Sequence, residues 1–157
     1  MSNESAPATV QARRSGYRTL LGYRTRVWQD GYAELELPIA AQHMNSIGIV
    51  HGGVYASLLD VVMGSTVSYC GVPGRTRFST TISLTTTFLK SAKAGLLVAT
   101  GRLEGVDGRI ATASGQVLDG EGTLLATGQG SFLYFPGSER PEGVAKVSGG
   151  DKPAERG

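Results

Sequence analysis

Cysteine and histidine are almost missing from this chain: Cys70, His43 and His51 are the whole supply among 157 residues. One cysteine cannot close an internal disulfide, and it fits a reducing compartment. Two histidines eight positions apart, with no second thiol and no helical i, i+4 partner, do not form a metal-ligand set, so no metal and no other cofactor is expected. Long hydrophobic runs are also absent. No segment approaches a membrane span, and residues 1–14 lack the apolar stretch of a secretion signal, so the chain reads as cytoplasmic with no membrane partner. Charge of one sign does not accumulate either: fifteen Lys and Arg are scattered among thirteen Asp and Glu, giving a net charge of +2. No basic run tracks a phosphate backbone, so nucleic acid is not an expected partner. The chain has no Gly-x-Ser-x-Gly elbow, P-loop or Gly-x-Gly-x-x-Gly, which demotes serine hydrolases, NTPases and dinucleotide enzymes.

The most informative scarcity is acidic. Between Glu36 and Glu104 the only acidic residue is Asp60, and it falls inside a run that is apolar on nearly every side from Gly53 to about Tyr69. That run is too long for an ordinary strand and is expected to be a buried helix. A carboxylate there is costly to desolvate, so a purely structural role, a buried Asp60 satisfied by a neighbouring hydroxyl such as that of Ser57, has more to explain than a chemical one.

The rest of the chain has a β pattern. Asp-Gly pairs at Gly31, Gly108 and Gly120 separate alternating segments at 25–28, 32–37, 96–106, 109–118 and 123–135, with a Thr-rich strand at 78–89. A short helix is expected near 16–22. One long helix followed by long antiparallel strands implies an α+β domain in which the sheet curls around the helix. Gly101, Gly115, Gly128 and Gly130 then mark bulges or places where the helix approaches closely. Residues 14–136 form this domain, flanked by tails at 1–13 and 137–157 that are rich in small, polar and charged residues.

Helix geometry constrains any chemistry. Gly52 and Gly53 stand where the helix begins, so their N–H groups are candidate anion or oxyanion donors, although Gly-Gly also makes a plain turn. Asp60 lies eight residues beyond Gly52, about 12 Å along the axis at 1.5 Å per residue. One carbonyl cannot touch both within a single chain. Two antiparallel copies of the helix across a twofold axis bring the start of one to the middle of the other and create two composite sites.

Asn45, Gly48, His51-Gly52-Gly53 and Asp60 match, at every spacing, a family pattern of Asn, Gly three later, His-Gly-Gly three after that and an acid nine beyond the His. In these residues, in Thr81, in the segment 88–95 and in the last two hairpins, the chain resembles the hotdog-fold acyl-CoA thioesterases, most closely the PaaI-like branch, over about residues 20–135. The resemblance implies a long central helix wrapped by a curved antiparallel sheet, and a homodimer or a homotetramer built as a dimer of dimers. It implies that Gly52 N–H polarises a thioester carbonyl, with Asn45 assisting or positioning the water or carbonyl. Asp60 of the facing subunit is then general base or nucleophile, Thr81 orients the water, and His51 orients the loop or contacts the acyl group. Lys90-Ser91 departs from the Arg-Pro common in relatives.

Five cations, Arg75, Arg77, Lys90, Lys93 and Arg102, stand against one acid between Leu37 and Leu103, which suits a phosphate-bearing ligand such as coenzyme A and equally a solvated basic face. Lys90, Lys93, Arg75 and Arg77 are the candidates to hold it. The implied activity is hydrolysis of an aryl- or hydroxyaryl-acyl-CoA to acid and coenzyme A, which is part of the substrate. The competing readings are a non-catalytic acyl-CoA-binding module and a hydratase or dehydratase of the same fold.

Overall fold

The computed structural model describes residues 15–146. The expected tail at 1–13 and the end beyond 146 lie outside the described residues. A six-residue helix, α1 (Gly16–Leu21), opens the described chain, capped by the Ser15 hydroxyl and closed by Gly22 at φ 85°. Two strands follow, β1 (Arg24–Gln29) and β2 (Tyr32–Pro38), and then the long helix α2 (Gly52–Val67). A two-residue strand, β3 (Arg75–Thr76), precedes β4 (Ser79–Phe88), β5 (Leu96–Asp107), β6 (Ile110–Asp119) and β7 (Leu124–Tyr134), and a second short strand, β8 (Val144–Ala145), comes last.

Six strands form one antiparallel sheet in the order β1-β2-β5-β6-β7-β4, and β3 pairs with β8 in a separate ribbon. Alternation decides which side faces α2: Ala33, Leu35 and Leu37 of β2 point inward, as do Leu97 and Ala99 of β5 and Ala111, Ala113 and Val117 of β6, all buried. From the helix, Tyr55, Leu58, Leu59, Val62, Met63 and Val67 enter the same core. No helix among the described residues is long and apolar enough to cross a membrane.

The helix is not buried on every side. Its opposite face carries Gly53, Ala56, Ser57, Asp60, Gly64 and Ser65, all partly or fully accessible in the single chain. Small residues blur an apolar reading, so the sequence suggested a helix enclosed all round where the structure has a low, small-residue face bearing one carboxylate.

Close approach requires the glycines of the sheet. A Cβ on Gly101 would lie 2.9 Å from the Val62 carbonyl oxygen and 2.7 Å from Thr66 Oγ1; one on Gly115 would meet Leu59 at 3.1 Å. Gly128 and Gly130 meet Leu59 and Met63 in the same way, at 3.2 and 3.3 Å. All four are therefore sites of close helix contact, while the bulges fall elsewhere, between Thr25 and Val27, Thr81 and Ser83, Leu103 and Gly105, and at Val117–Leu118.

Two of the Asp-Gly turns form as expected, with Gly31 and Gly108 at positive φ. The third does not. Between β6 and β7 the positive φ belongs to Gly122, and Asp119 Oδ1 accepts from the N–H groups of Glu121 and Thr123. Those donors, Thr123 foremost, hold the Asp119 carboxyl below its usual range.

The boundary expected at 137 is also displaced. Residues 137–146 turn back across the far end of α2, where Arg77 donates to the carbonyls of Ser138 (2.8 Å), Glu139 (3.2 Å) and Tyr69 (3.4 Å). Arg75 donates to those of Glu142 (2.6 Å) and Gly143 (2.5 Å). Arg77 also stacks 4.4 Å over the Tyr134 ring. Composition suggested a tail because the fixing interactions are contributed from more than sixty residues away.

Two stability outcomes follow from these contacts. Gly101→Ala should cost roughly 1–3 kcal/mol in urea unfolding, since the new methyl must push main chain of α2 away from the sheet. Arg77→Ala should cost about 1–3 kcal/mol in the same assay through lost carbonyl hydrogen bonds, and hydrogen exchange should rise first in residues 137–146.

Candidate functional site

The chain entering α2 is a self-bonded loop. Asn45 N–H donates to the Ile49 carbonyl (2.8 Å), while Asn45 Oδ1 accepts from the N–H groups of Ile47 (3.1 Å) and Ile49 (3.2 Å). Gly48, at φ 74°, lets the loop reverse. The side-chain oxygen of Asn45 is thus committed to the loop, leaving only its amide N–H groups for a ligand. Ile47, at the tip, is 75% exposed.

His51 caps the helix: its Nδ1 accepts from Gly53 N–H at 2.8 Å, and its own N–H donates to the His43 carbonyl at 2.8 Å. The expected pair of glycine donors is therefore reduced to one. Gly53 N–H is spent on the cap, and Gly52 N–H makes no hydrogen bond among the described residues. It sits at the positive end of the α2 dipole, aimed out of the first turn. Both bonds of His51 lie within this loop and the first turn of the helix.

Two turns along α2, Asp60 Oδ1 accepts from Thr81 Oγ1 at 2.7 Å. Thr81 belongs to β4, the edge strand, and the bulge between Thr81 and Ser83 alters the strand's pairing with β7 at that point. The structure thus brings Asp60 and Thr81 together as an acid half-site, and Asn45, His51 and Gly52 together as a donor half-site. Within one chain the two halves stay apart by the helix rise, about 12 Å.

Near Gly52 stand residues that the sequence reading passed over. The Phe88 ring lies 3.6 Å from where a Gly52 Cβ would be, and the buried Tyr55 ring is 6.3 Å from it, centroid to centroid. Tyr55 Oη accepts from Ala92 N–H at 3.0 Å, and burial pushes the phenol above its ordinary range. The available signal was Tyr55 itself, a polar-tipped aromatic in an otherwise apolar helix, which implies a buried partner. The Phe88 contact spans thirty-six residues and has no local signature.

Of the expected coenzyme A contacts, Lys90 and Lys93 remain exposed, with no acidic partner within 4.0 Å among the described residues. Arg75 and Arg77 do not: their guanidiniums are bound to main-chain carbonyls of 137–146 at the opposite end of α2. Arg102 stacks on Tyr32 at 5.0 Å. Two surface depressions, about 350 and 510 Å³, lie on the outer side of the sheet among Thr85, Gln116, Gln129 and their neighbours. Neither contains Gly52 or Asp60, because each half-site is an open surface in a single chain.

Comparison with known proteins agrees with this fold. A conserved Pseudomonas aeruginosa protein is 31% identical, with 78% of this chain and 95% of that one covered at a TM-score of 0.72. The PaaI protein of the Escherichia coli phenylacetic acid degradation operon is 20% identical, with 79% and 87% covered at a TM-score of 0.70, a likeness that shows the fold. A curated Archaeoglobus fulgidus protein, named provisionally as an esterase, is 26% identical over 113 residues, 71% of this chain and 70% of its own. The family model described as Thioesterase superfamily matches residues 47–126, a span that begins in the Asn45 loop, takes in all of α2 and β4, and ends within β7. With more than half of its length matched, the chain belongs to the thioesterase superfamily, and its fold is the hotdog.

Proposed function

We propose that the protein hydrolyses acyl-CoA thioesters, with an aryl or hydroxyaryl acyl group, at two identical sites shared across a homodimer. One observation carries the reading: each chain has a free main-chain donor at Gly52 and a hydroxyl-anchored carboxylate at Asp60, too far apart to act on one carbonyl. An antiparallel pair of α2 helices joins each donor half to the partner's acid half. The faces that would meet are suited to it. Gly53, Ala56, Ser57 and Gly64 keep the helix surface low, and β4 offers an unpaired edge of ten residues without charge or proline. Such an edge, with Ile82 and Leu84 exposed, is what proteins ordinarily cover.

The thioester oxygen accepts from Gly52 N–H, which gains strength as negative charge develops on that oxygen. Thr81 holds one Asp60 oxygen, leaving the other to take a proton from water as the water oxygen attacks the carbonyl carbon. Collapse of the tetrahedral intermediate breaks the C–S bond, and the proton passes from Asp60 to the departing thiolate. The products are a carboxylic acid and coenzyme A. Phe88, half exposed beside Gly52, offers flat surface to an aromatic acyl group, which supports the aryl assignment alongside the likeness to PaaI. A hydratase fits less well, because His51 has one ring nitrogen committed to Gly53.

Gly52→Pro isolates the donor. Gly52 is the first helical residue, where proline is favoured, and His51 before it already has the extended φ −64°, ψ 137° that proline demands. The variant should fold and lose roughly 10²–10³-fold in kcat, measured by thiol release, since the proline ring replaces the donating N–H. Asp60→Asn should lose about 10²–10⁴-fold with an unchanged melting temperature. Isolated heterodimers of these two variants should recover roughly half of wild-type turnover, one intact site of two. No recovery would place the chemistry within a single chain. Ile82→Glu sets like charges at the paired edges, and sedimentation should show monomer with activity lost in proportion.

A further inference from the structure

The turn between β4 and β5, residues 89–95, has no regular structure, yet it is fixed at three points. Leu89 and Lys90 N–H both donate to the Leu125 carbonyl (2.8 and 3.1 Å), and the Gly95 carbonyl accepts from Ile39 N–H at 2.9 Å. The middle is held by Ala92 alone. Its N–H donates to Tyr55 Oη at 3.0 Å and its carbonyl accepts from Val50 N–H at 2.9 Å. Val50 lies two residues before Gly52 and Tyr55 one turn after it, so both bonds tie Ala92 to the start of α2. On either side of this locked residue stand Lys90 and Lys93, exposed and without an acidic partner among the described residues.

Packing does not require the Tyr55 hydroxyl. A phenylalanine would fill the same core space and meet Phe88 equally well; among the described residues the oxygen serves only Ala92 N–H. We propose that Tyr55 is a positioning residue for coenzyme A: its hydroxyl fixes the 89–95 turn so that Lys90 and Lys93 meet the ligand's phosphates beside the Gly52 donor. This rests on the acyl-CoA hydrolase reading of the same site. The two ammoniums come from the protomer that supplies Gly52 N–H, so one chain binds the nucleotide and polarises the carbonyl while its partner supplies the acid. Without the hydroxyl, the middle of the turn hangs on Val50 N–H alone, and two long flexible cations must be ordered at binding instead of beforehand.

Tyr55→Phe is tested against two substrates with the same acyl group, a coenzyme A thioester and an N-acetylcysteamine thioester, which has no phosphate. For the coenzyme A ester, KM should rise about fivefold with kcat nearly unchanged, the scale of one lost ordinary hydrogen bond. For the short ester neither constant should move. Lys90→Ala/Lys93→Ala, altered only on the surface, should show the same split. Equal changes with both substrates, or an unchanged KM for the coenzyme A ester in either variant, would overturn the assignment. A wild-type protein that released thiol from neither ester would instead remove the hydrolase reading on which it depends.

Discussion

How deeply α2 sinks into the sheet governs the remaining structure. Four glycines on β5, β6 and β7 remove the Cβ atoms that would hold the helix off, so that main chain of α2 lies against main chain of β5 at Gly101. Burial of Leu58, Leu59, Val62 and Met63 provides the driving force, and the missing methyls let it act at short range. With one face so occupied, the residues left on the other face are determined by the 3.6-residue repeat, and Asp60 falls among them. The height of the helix also sets whether its carboxylate can reach Thr81 on the edge strand. A carboxylate and a hydroxyl 2.7 Å apart on different elements leave little latitude in that packing.

Much of this was legible because it is local. The period-two strands, two Asp-Gly turns and the long apolar helix each follow from residues close to one another in sequence, and the motif from Asn45 to Asp60 carries the donor half-site and the carboxylate of the acid half-site in sixteen residues. What was not legible is non-local or geometrical. Arg75 and Arg77 looked like ligand cations because a sequence shows charge and not the carbonyls that capture it. Gly53 looked equivalent to Gly52 until the His51 ring took its N–H. Asn45 stood in the right place, but its oxygen closes the loop that presents Gly52. In each case the residue type was read correctly and its partner was hidden.

The division of labour along α2 also separates two kinds of constraint. The donor half is made of main chain, and its side chains, His51 and Asn45, act by shaping that main chain. The acid half is made of side chains, Asp60 and Thr81, held by strand and helix. Variation around the first half therefore leaves the Gly52 N–H in place, whereas variation in the second removes the Asp60–Thr81 pair itself.

The C-terminal segment acts on the acid half from a distance. Asp60 is on α2 and Thr81 on β4, and the only covalent link between them is residues 68–78, which contain two guanidiniums bound to main chain at 138–143. Those bonds convert a slack connection into a brace, so that the registry between carboxylate and hydroxyl is maintained by a stretch of chain that contributes no side chain to either. A proteolytic nick near Arg140 would leave Asp60, Thr81 and the core in place, yet free the chain to which Arg75 and Arg77 are bonded.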